Sequence, residues 1–254
     1  MSGKKIRKSL SNLLITICLG VFVYSAYELV SLGLDYYQNR QVLADVQDIY
    51  AAQTKASDSS EVEKGEIRKQ FKELHKINPD IIGWLAIDKT NINYPILQAE
   101  NNEHYLYRNY KEEQSRAGSI FMDYRNNVNA YNSNIVLYGH NMKDGSMFHN
   151  LRKYTDEEFF SNHRSVYFDT KYESYQAEVF SVYHTTTDFD YIQTHFSTQD
   201  EYRQLVNEIK DKSVFQSDVH VNEKDTIITL STCDYTLDPD EGRFVVHAKI
   251  SDQE

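Results

Sequence analysis

The sequence predicts a mainly β fold, an eight-stranded barrel or sandwich behind an apolar N-terminal segment. Three observations carry this reading. Eight short runs rich in β-branched and aromatic residues recur between positions 82 and 250, separated by turn residues. Only one stretch between them opens with a helix-start signal and continues with apolar residues at helical spacing. The 254 residues are 40% apolar and 26% charged, with nine Gly and three Pro, a globular composition rather than a disordered or collagen-like one.

Taken from the N-terminus, Lys4, Lys5, Arg7 and Lys8 make a basic tail over residues 1–9, in a chain whose formal net charge is -11. A basic charge confined to one end argues against general nucleic-acid binding, and no nucleic-acid partner is expected. Residues 13–30 follow with Glu28 as their only charge, and their flanks extend the apolar stretch to 10–32. That length crosses a hydrocarbon core of ~30 Å as a helix. The positive-inside rule then leaves the tail in the cytoplasm and the rest of the chain outside. A cleaved signal peptide ending near Val23-Tyr24-Ser25 is the alternative, although the run outlasts the usual apolar region of ~7–15 residues. Both readings export the globular part.

Residues 35–52 carry Tyr36, Val42, Val46, Ile49 and Tyr50 at loose helical spacing, an exit helix. The small polar stretch 54–64 reads as a linker. Ile67, Phe71, Leu74 and Ile77 mark a second amphipathic helix that Asn78-Pro79 ends. The expected organisation is therefore a helical region over 33–77 and a barrel domain over 78–254. The strands are expected at 82–87, 92–96, 119–122, 134–138, 165–169, 175–185, 226–232 and 244–250. Between the sixth and seventh, Thr198 and Glu201 form a capping box ahead of Tyr202, Leu205, Val206 and Ile209, which predicts an inserted helix.

The chain has two cysteines, Cys18 within the apolar segment and Cys233 near the C-terminus. A membrane between them rules out an intramolecular disulfide. The exported domain is left with one thiol, either a buried filler or a reactive group. Cys233 ends a strand, where a side chain projects into a groove while the sheet fixes its backbone. A free thiol with a pKa of ~8.5 is only a few per cent thiolate at neutral pH, so a nucleophile there needs a cationic neighbour.

Two residues at other strand ends offer one. His140 follows the run 134–138, and Arg243 opens the last strand, ten residues after Cys233, where a hairpin brings it back beside the thiol. An arginine stays protonated, so its use is to steady an anionic oxygen. An ordinary salt bridge to Asp234, Asp238, Asp240 or Glu241 is the competing reading. His140 is one of nine histidines, most of which are expected to be structural. His149 suggests a metal pair with it, but no C-x-x-C, H-E-x-x-H or acidic cage completes a site, so no metal and no cofactor are expected. His247, on the same strand face as Arg243, is a rival base. Papain-like enzymes place Cys before His, and only His247 follows Cys233 here.

The segments TLSTC at 229–233, GHN at 139–141 and the Arg243 strand together resemble the signature of the sortases, the membrane-anchored cysteine transpeptidases of Gram-positive bacteria. The stretch DIIGWLAIDKTNINYPILQAENNEHYLYRNY, continuing to GSIFMDYRN, is similar to class B sortases in particular. The resemblance runs from about residue 35 to the C-terminus. It implies an eight-stranded sortase barrel with two N-terminal helices and a long helix between strands 6 and 7. It implies Cys233 as nucleophile, His140 as general acid and base, and Arg243 as stabiliser of the oxyanion or substrate. Asp234 is a secondary candidate that orients His140 or pairs with Arg243. Asn102, Leu106, Thr187, Tyr191, Ile192 and Ser231 match positions of the groove that holds the substrate, although Leu106 and Ile192 also suit simple core packing.

The activity implied is cleavage after Thr of a C-terminal sorting signal similar to Asn-Pro-Gln-Thr-Asn, through a Cys thioester. A peptidoglycan-precursor amine then takes the acyl group, which joins a surface protein to the wall. Class B members often handle haem- or iron-capture proteins. Two other readings remain: a Cys-dependent peptidase that only hydrolyses, and a non-enzymatic anchored barrel that binds the wall, for which the twenty Tyr would suit a binding face.

Overall fold

The computed structural model describes residues 2–55, 65–128, 130 and 132–251, and the side chains from residue 7 onward. The chain divides into two compact units, Met1–Val42 and Leu43–Glu254. The expected membrane segment and exit helix are one continuous helix, α1 (Ser2–Lys55). Within the first unit, apolar side chains from Leu10 to Val30 are exposed. Among the described residues this helix alone is long and apolar enough to cross a membrane. Thr54 and Lys55 of the expected linker close α1, and its positions 56–64 lie outside the described residues.

The eight expected strands are present, each end within one residue of its sequence expectation. They are β1 (Ile81–Ile87), β2 (Asn93–Leu97), β3 (Ile120–Met122), β4 (Asn134–Tyr138), β5 (Ser165–Thr170), β6 (Ser174–Thr185), β7 (Ile227–Cys233) and β8 (Arg243–Ile250). They close in the order β1-β2-β3-β4-β7-β8-β6-β5, a barrel rather than a sandwich. Closure follows from β1 pairing with both β2 and β5, which leaves no edge to protect. Pairs β2–β3 and β4–β7 are parallel, and the others are antiparallel.

Alternation along β7 and β8 sorts the core in two. Ile228, Leu230, Val246 and Ala248 fill the lumen, whereas Ile227 and Val245 face outward. The outward set is covered by α4 (Gln199–Lys212), the helix inserted between β6 and β7. Its Tyr202, Leu205, Val206 and Ile209 are buried there, at roughly 1.5–3 kcal/mol for each apolar side chain before ordering costs. Thr198 caps α4 by accepting from Glu201 N–H, while Glu201 reaches back to Ser197 N–H, one residue beyond the standard capping box.

On the outer side of β1, the end of α1 and the helix α2 (Lys69–Ile77) belong to the same unit as the barrel. Tyr50 stacks on Trp84 at 4.0 Å and donates to Asp169, and Val46, Phe71 and Leu74 are fully buried. Ile77, expected on the apolar face, is exposed. Three elements had no counterpart in the sequence reading, a 3-10 turn at His104–Leu106, a 3-10 helix at Phe148–Thr155 and the short α3 (Glu157–Asn162). The Phe148–Thr155 helix has no side-chain cap at its start, and Met147 there holds φ at +51°. It adds Phe148, Leu151 and Tyr154 to the lumen core.

Candidate active site

The three strongest candidates leave three neighbouring strands at one end of the barrel. In the parallel pair β4–β7, Tyr138 lies opposite Ser231, and Gly139 N–H donates to the Ser231 carbonyl. Two residues further along each strand come His140 and Cys233, so both emerge in the same direction from adjacent strand ends. In the antiparallel pair β7–β8, Cys233 lies directly opposite Arg243. Cys233 and Ser231 share the outward face with Thr229, while Asp234 turns to the other face. Cys233 is a free, half-buried thiol.

His140 Nε2 lies 2.8 Å from the Leu106 carbonyl. A carbonyl only accepts, so Nε2 carries the hydrogen and Nδ1 is left for proton exchange. The Tyr107 ring packs against the imidazole at 5.6 Å. Arg243 donates through Nη1 to the carbonyls of Gly242 at 2.8 Å and Asp240 at 3.3 Å. Among the described residues it forms no salt bridge with Asp234, Asp238, Asp240 or Glu241, so the competing reading of Arg243 is not realised. Asp238 is held instead by the N–H groups of Asp240 and Glu241, and those of Glu241 and Asp240 keep its carboxyl below the usual range. The turn requires Gly242, because a Cβ there would lie 1.9 Å from the Asp234 carbonyl oxygen.

Asp234 makes neither of the contacts considered for it. Its Oδ1 accepts from Thr236 N–H and hydroxyl, and its Oδ2 lies 3.2 Å from His184 Nδ1 and 3.7 Å from Arg152 Nη2. Burial would raise this carboxyl, but the Thr236 bonds and the Arg152 and His184 charges outweigh it and hold the group low. It braces the β7–β8 turn rather than His140. His247, the rival base, is fully buried between Tyr183 hydroxyl at 2.8 Å and Thr229 hydroxyl at 2.9 Å. Burial pushes its pKa down to about 3, and its place in the wall removes it from the site. His149 Nδ1 lies 2.9 Å from Asn141 Oδ1.

The expected groove residues fall into two connected pairs, with Leu106 and Thr187 outside them. Tyr191 hydroxyl lies 2.8 Å from Ser231 Oγ, two residues before Cys233. Burial raises the Tyr191 pKa, while the Ser231 bond and Arg243 oppose that and Cys233 adds to it. Asn102 donates to Asp123 at 3.0 Å, Asp123 accepts two bonds from Arg125, and Arg125 donates to the Ile192 carbonyl at 3.0 Å. Asn102 and Ile192 are thus tied through a pair that sequence reasoning did not single out. Asp123 is fully buried. Desolvation alone would raise it, but bonds from Arg125, Tyr138 and Asn102 hold its carboxyl low. Leu106 enters through its carbonyl, and Thr187 stands exposed on the turn after β6. Both lie within the GSIFMDYRN stretch, but only the closed barrel brings them to Ile192.

A sortase domain matches residues 85–251, which include all three candidates and most of the chain. Sortase B of Listeria monocytogenes is 43% identical over 246 residues, 97% of this chain and 98% of that protein. The chain belongs to the sortase family, in its class B. A solved structure of sortase B from Bacillus anthracis is 53% identical, with a TM-score of 0.79 over 86% of this chain and 98% of that one. The Staphylococcus aureus sortase B–substrate complex is 40% identical, with a TM-score of 0.80 over 87% and 100%. Class B sortases are cysteine transpeptidases that work at the cell surface, typically with the membrane, on surface proteins and peptidoglycan precursors. The expected eight-stranded sortase barrel is the fold present.

Proposed function

We propose that this class B sortase cleaves an Asn-Pro-Gln-Thr-Asn-like signal after Thr and joins the surface protein to a peptidoglycan amine, with Cys233, His140 and Arg243 as its catalytic residues. The observation that carries the reading is the placement of these three residues on neighbouring strand ends at one end of the barrel. The Cys233 thiolate attacks the Thr carbonyl carbon. The tetrahedral oxygen takes up negative charge beside Arg243, whose guanidinium is held by main-chain carbonyls and keeps its positive charge for that oxygen. The His140 imidazolium gives its Nδ1 proton to the leaving amine as the C–N bond breaks, which leaves a thioester. An acceptor amine then attacks the thioester and His140 Nδ1 takes its proton. Collapse forms the new amide and returns the Cys233 thiolate.

The groove comprises Asn102, Leu106, Thr187, Tyr191, Ile192 and Ser231. The apolar segment 10–32 spans the membrane, the basic tail 1–9 stays in the cytoplasm, and the barrel at 78–254 works outside after the helical region 33–77. Surface proteins that capture haem or iron are the proposed cargo. The test uses the full chain in detergent micelles with an Asn-Pro-Gln-Thr-Asn peptide, with and without a triglycine acceptor, followed by mass spectrometry beside Cys233→Ala. Cleavage after Thr, a thioester on Cys233 and an amine-dependent ligated product are expected. Free acid alone with acceptor present would favour hydrolysis, and no Cys233-dependent product would overturn the reading.

A further inference from the structure

The β4–β7 ladder stops just short of the catalytic pair. Its last main-chain bond runs from Gly139 N–H to the Ser231 carbonyl at 3.2 Å. In a continued parallel ladder the next acceptor is two residues on, the Cys233 carbonyl, and its donor is the N–H of Asn141. That main-chain bond is not made. Asn141 instead enters a small antiparallel bridge with Met147, and Phe148 N–H closes the loop on the His140 carbonyl at 2.9 Å. The vacant ladder position is taken by the side chain of the same residue, whose Nδ2 donates to the Cys233 carbonyl at 3.3 Å.

The other end of the amide is fixed as well. Asn141 Oδ1 lies 2.9 Å from His149 Nδ1, and an amide oxygen only accepts, so His149 carries its hydrogen on Nδ1. Rotating the amide by half a turn would set Oδ1 against the Cys233 carbonyl, two acceptors face to face. His149 therefore selects the rotation in which the NH2 group meets Cys233. The neutral Nδ1–H tautomer and the imidazolium both donate from Nδ1, so the arrangement does not depend on the charge of His149.

We infer that Asn141, oriented by His149, is a positioning residue. Its amide replaces a missing ladder bond and sets the separation between the Cys233 and His140 segments. The inference rests on the reading of Cys233 and His140 as the catalytic pair.

The test measures kcat and KM for transpeptidation of the Asn-Pro-Gln-Thr-Asn peptide, and the thermal midpoint, with the full chain in detergent micelles. Asn141→Asp keeps the volume and the acceptor for His149 but cannot donate to Cys233, and Asn141→Ala removes both ends. Each is expected to lower kcat about tenfold with KM within about twofold, because misplacing reacting groups acts on the chemical step. His149→Ala is expected to lower kcat about threefold, the loss of one orienting hydrogen bond. His149→Asn, whose Nδ2 falls where the histidine Nδ1 was, is expected to restore kcat. The double variant Asn141→Ala with His149→Ala should be no slower than Asn141→Ala, since both remove one unit. Cys233→Ala and His140→Ala serve as controls. If they stay active, the catalytic reading fails. If they are inactive while Asn141→Asp keeps wild-type kcat, or the double variant shows additive losses, or His149→Asn gives no rescue, the positioning role alone is overturned.

Discussion

The Leu106 carbonyl lies 2.8 Å from His140 Nε2, and this bond sets which imidazole nitrogen is free for proton exchange. The carbonyl reaches that place because Gly118 lies against the Tyr105–Leu106 segment. At φ +57°, a Cβ on Gly118 would meet the Leu106 oxygen at 2.4 Å and the Tyr105 oxygen at 2.7 Å. A backbone contact thus bears on the proposed acid and base from outside the site.

Gly118→Ala should therefore cost activity out of proportion to its size. A side chain in the left-handed region costs about 1–2 kcal/mol, and the clash is relieved only by moving the carbonyl that holds His140. We expect kcat/KM for peptide cleavage to fall at least about tenfold, with a lower thermal midpoint. Leu106→Ala keeps the carbonyl and should change KM more than kcat. Steady-state kinetics of the two variants checks both statements, and a Gly118→Ala enzyme with wild-type kcat would remove the Leu106 carbonyl from the argument.

Asp234 supplies a contrasting case. Its carboxyl is held low, so its ionised form stabilises the fold above the ordinary carboxylate range, and that contribution is lost as pH falls through the folded value. Asp234→Asn should lower the thermal midpoint at neutral pH and leave a smaller difference from wild type in acid. The shape of the pH–rate profile should be unchanged, because the carboxyl faces Thr236, His184 and Arg152 rather than His140. A shifted limb in the Asp234→Asn profile would restore the orienting role.

Legibility tracked the range of the interaction. The strands were readable because β-branched runs and turn residues are local signals, and α4 because Thr198 and Glu201 announce it. Cys233 and Arg243 could be paired in advance because a hairpin fixes its own register. The Phe148–Thr155 helix had no cap to announce it, and the apolar segment and the exit helix, with Gly33 between them, gave no sign that they were continuous. Asp123 with Arg125, and Asn141 with His149, acquire meaning only when the barrel closes. The same holds for His247, whose strand face suggested a base until α4 covered that face.

Tyr191 and Ser231 share a buried hydrogen bond of 2.8 Å on the groove side of β7. Removing one partner strands the other, at about 1–3 kcal/mol, whereas removing both is close to neutral. Tyr191→Phe and Ser231→Ala should each lower the thermal midpoint and raise KM severalfold, and the double variant should lose less than the sum. A thermal double-mutant cycle decides it; strict additivity would mean that the bond carries no coupling.

His247 sits in a chain of buried hydrogen bonds that runs from Asn134 to Tyr183. Asn134 Nδ2 donates to the Tyr191 and Gln193 carbonyls, so its Oδ1 accepts from Thr229 hydroxyl at 2.6 Å. Thr229 oxygen must then accept from His247 Nδ1, and in the neutral imidazole His247 Nε2 accepts from Tyr183 hydroxyl. Full burial keeps the imidazole in that neutral form. Burial takes the folded pKa down to about 3 from the ordinary histidine value of 6.5, so the unfolded chain takes up a proton that the native fold refuses. Stability from this group is intact above pH 6.5 and is lost progressively as pH falls toward 3, by up to roughly 5 kcal/mol. Because Asn134 holds the Tyr191 backbone, the groove should loosen along with the wall. Denaturant unfolding of the full chain between pH 7 and 4 should show this slope in wild type and a flatter one in His247→Gln, which cannot take up the proton. An equal slope in both would mean that His247 is not the group that titrates.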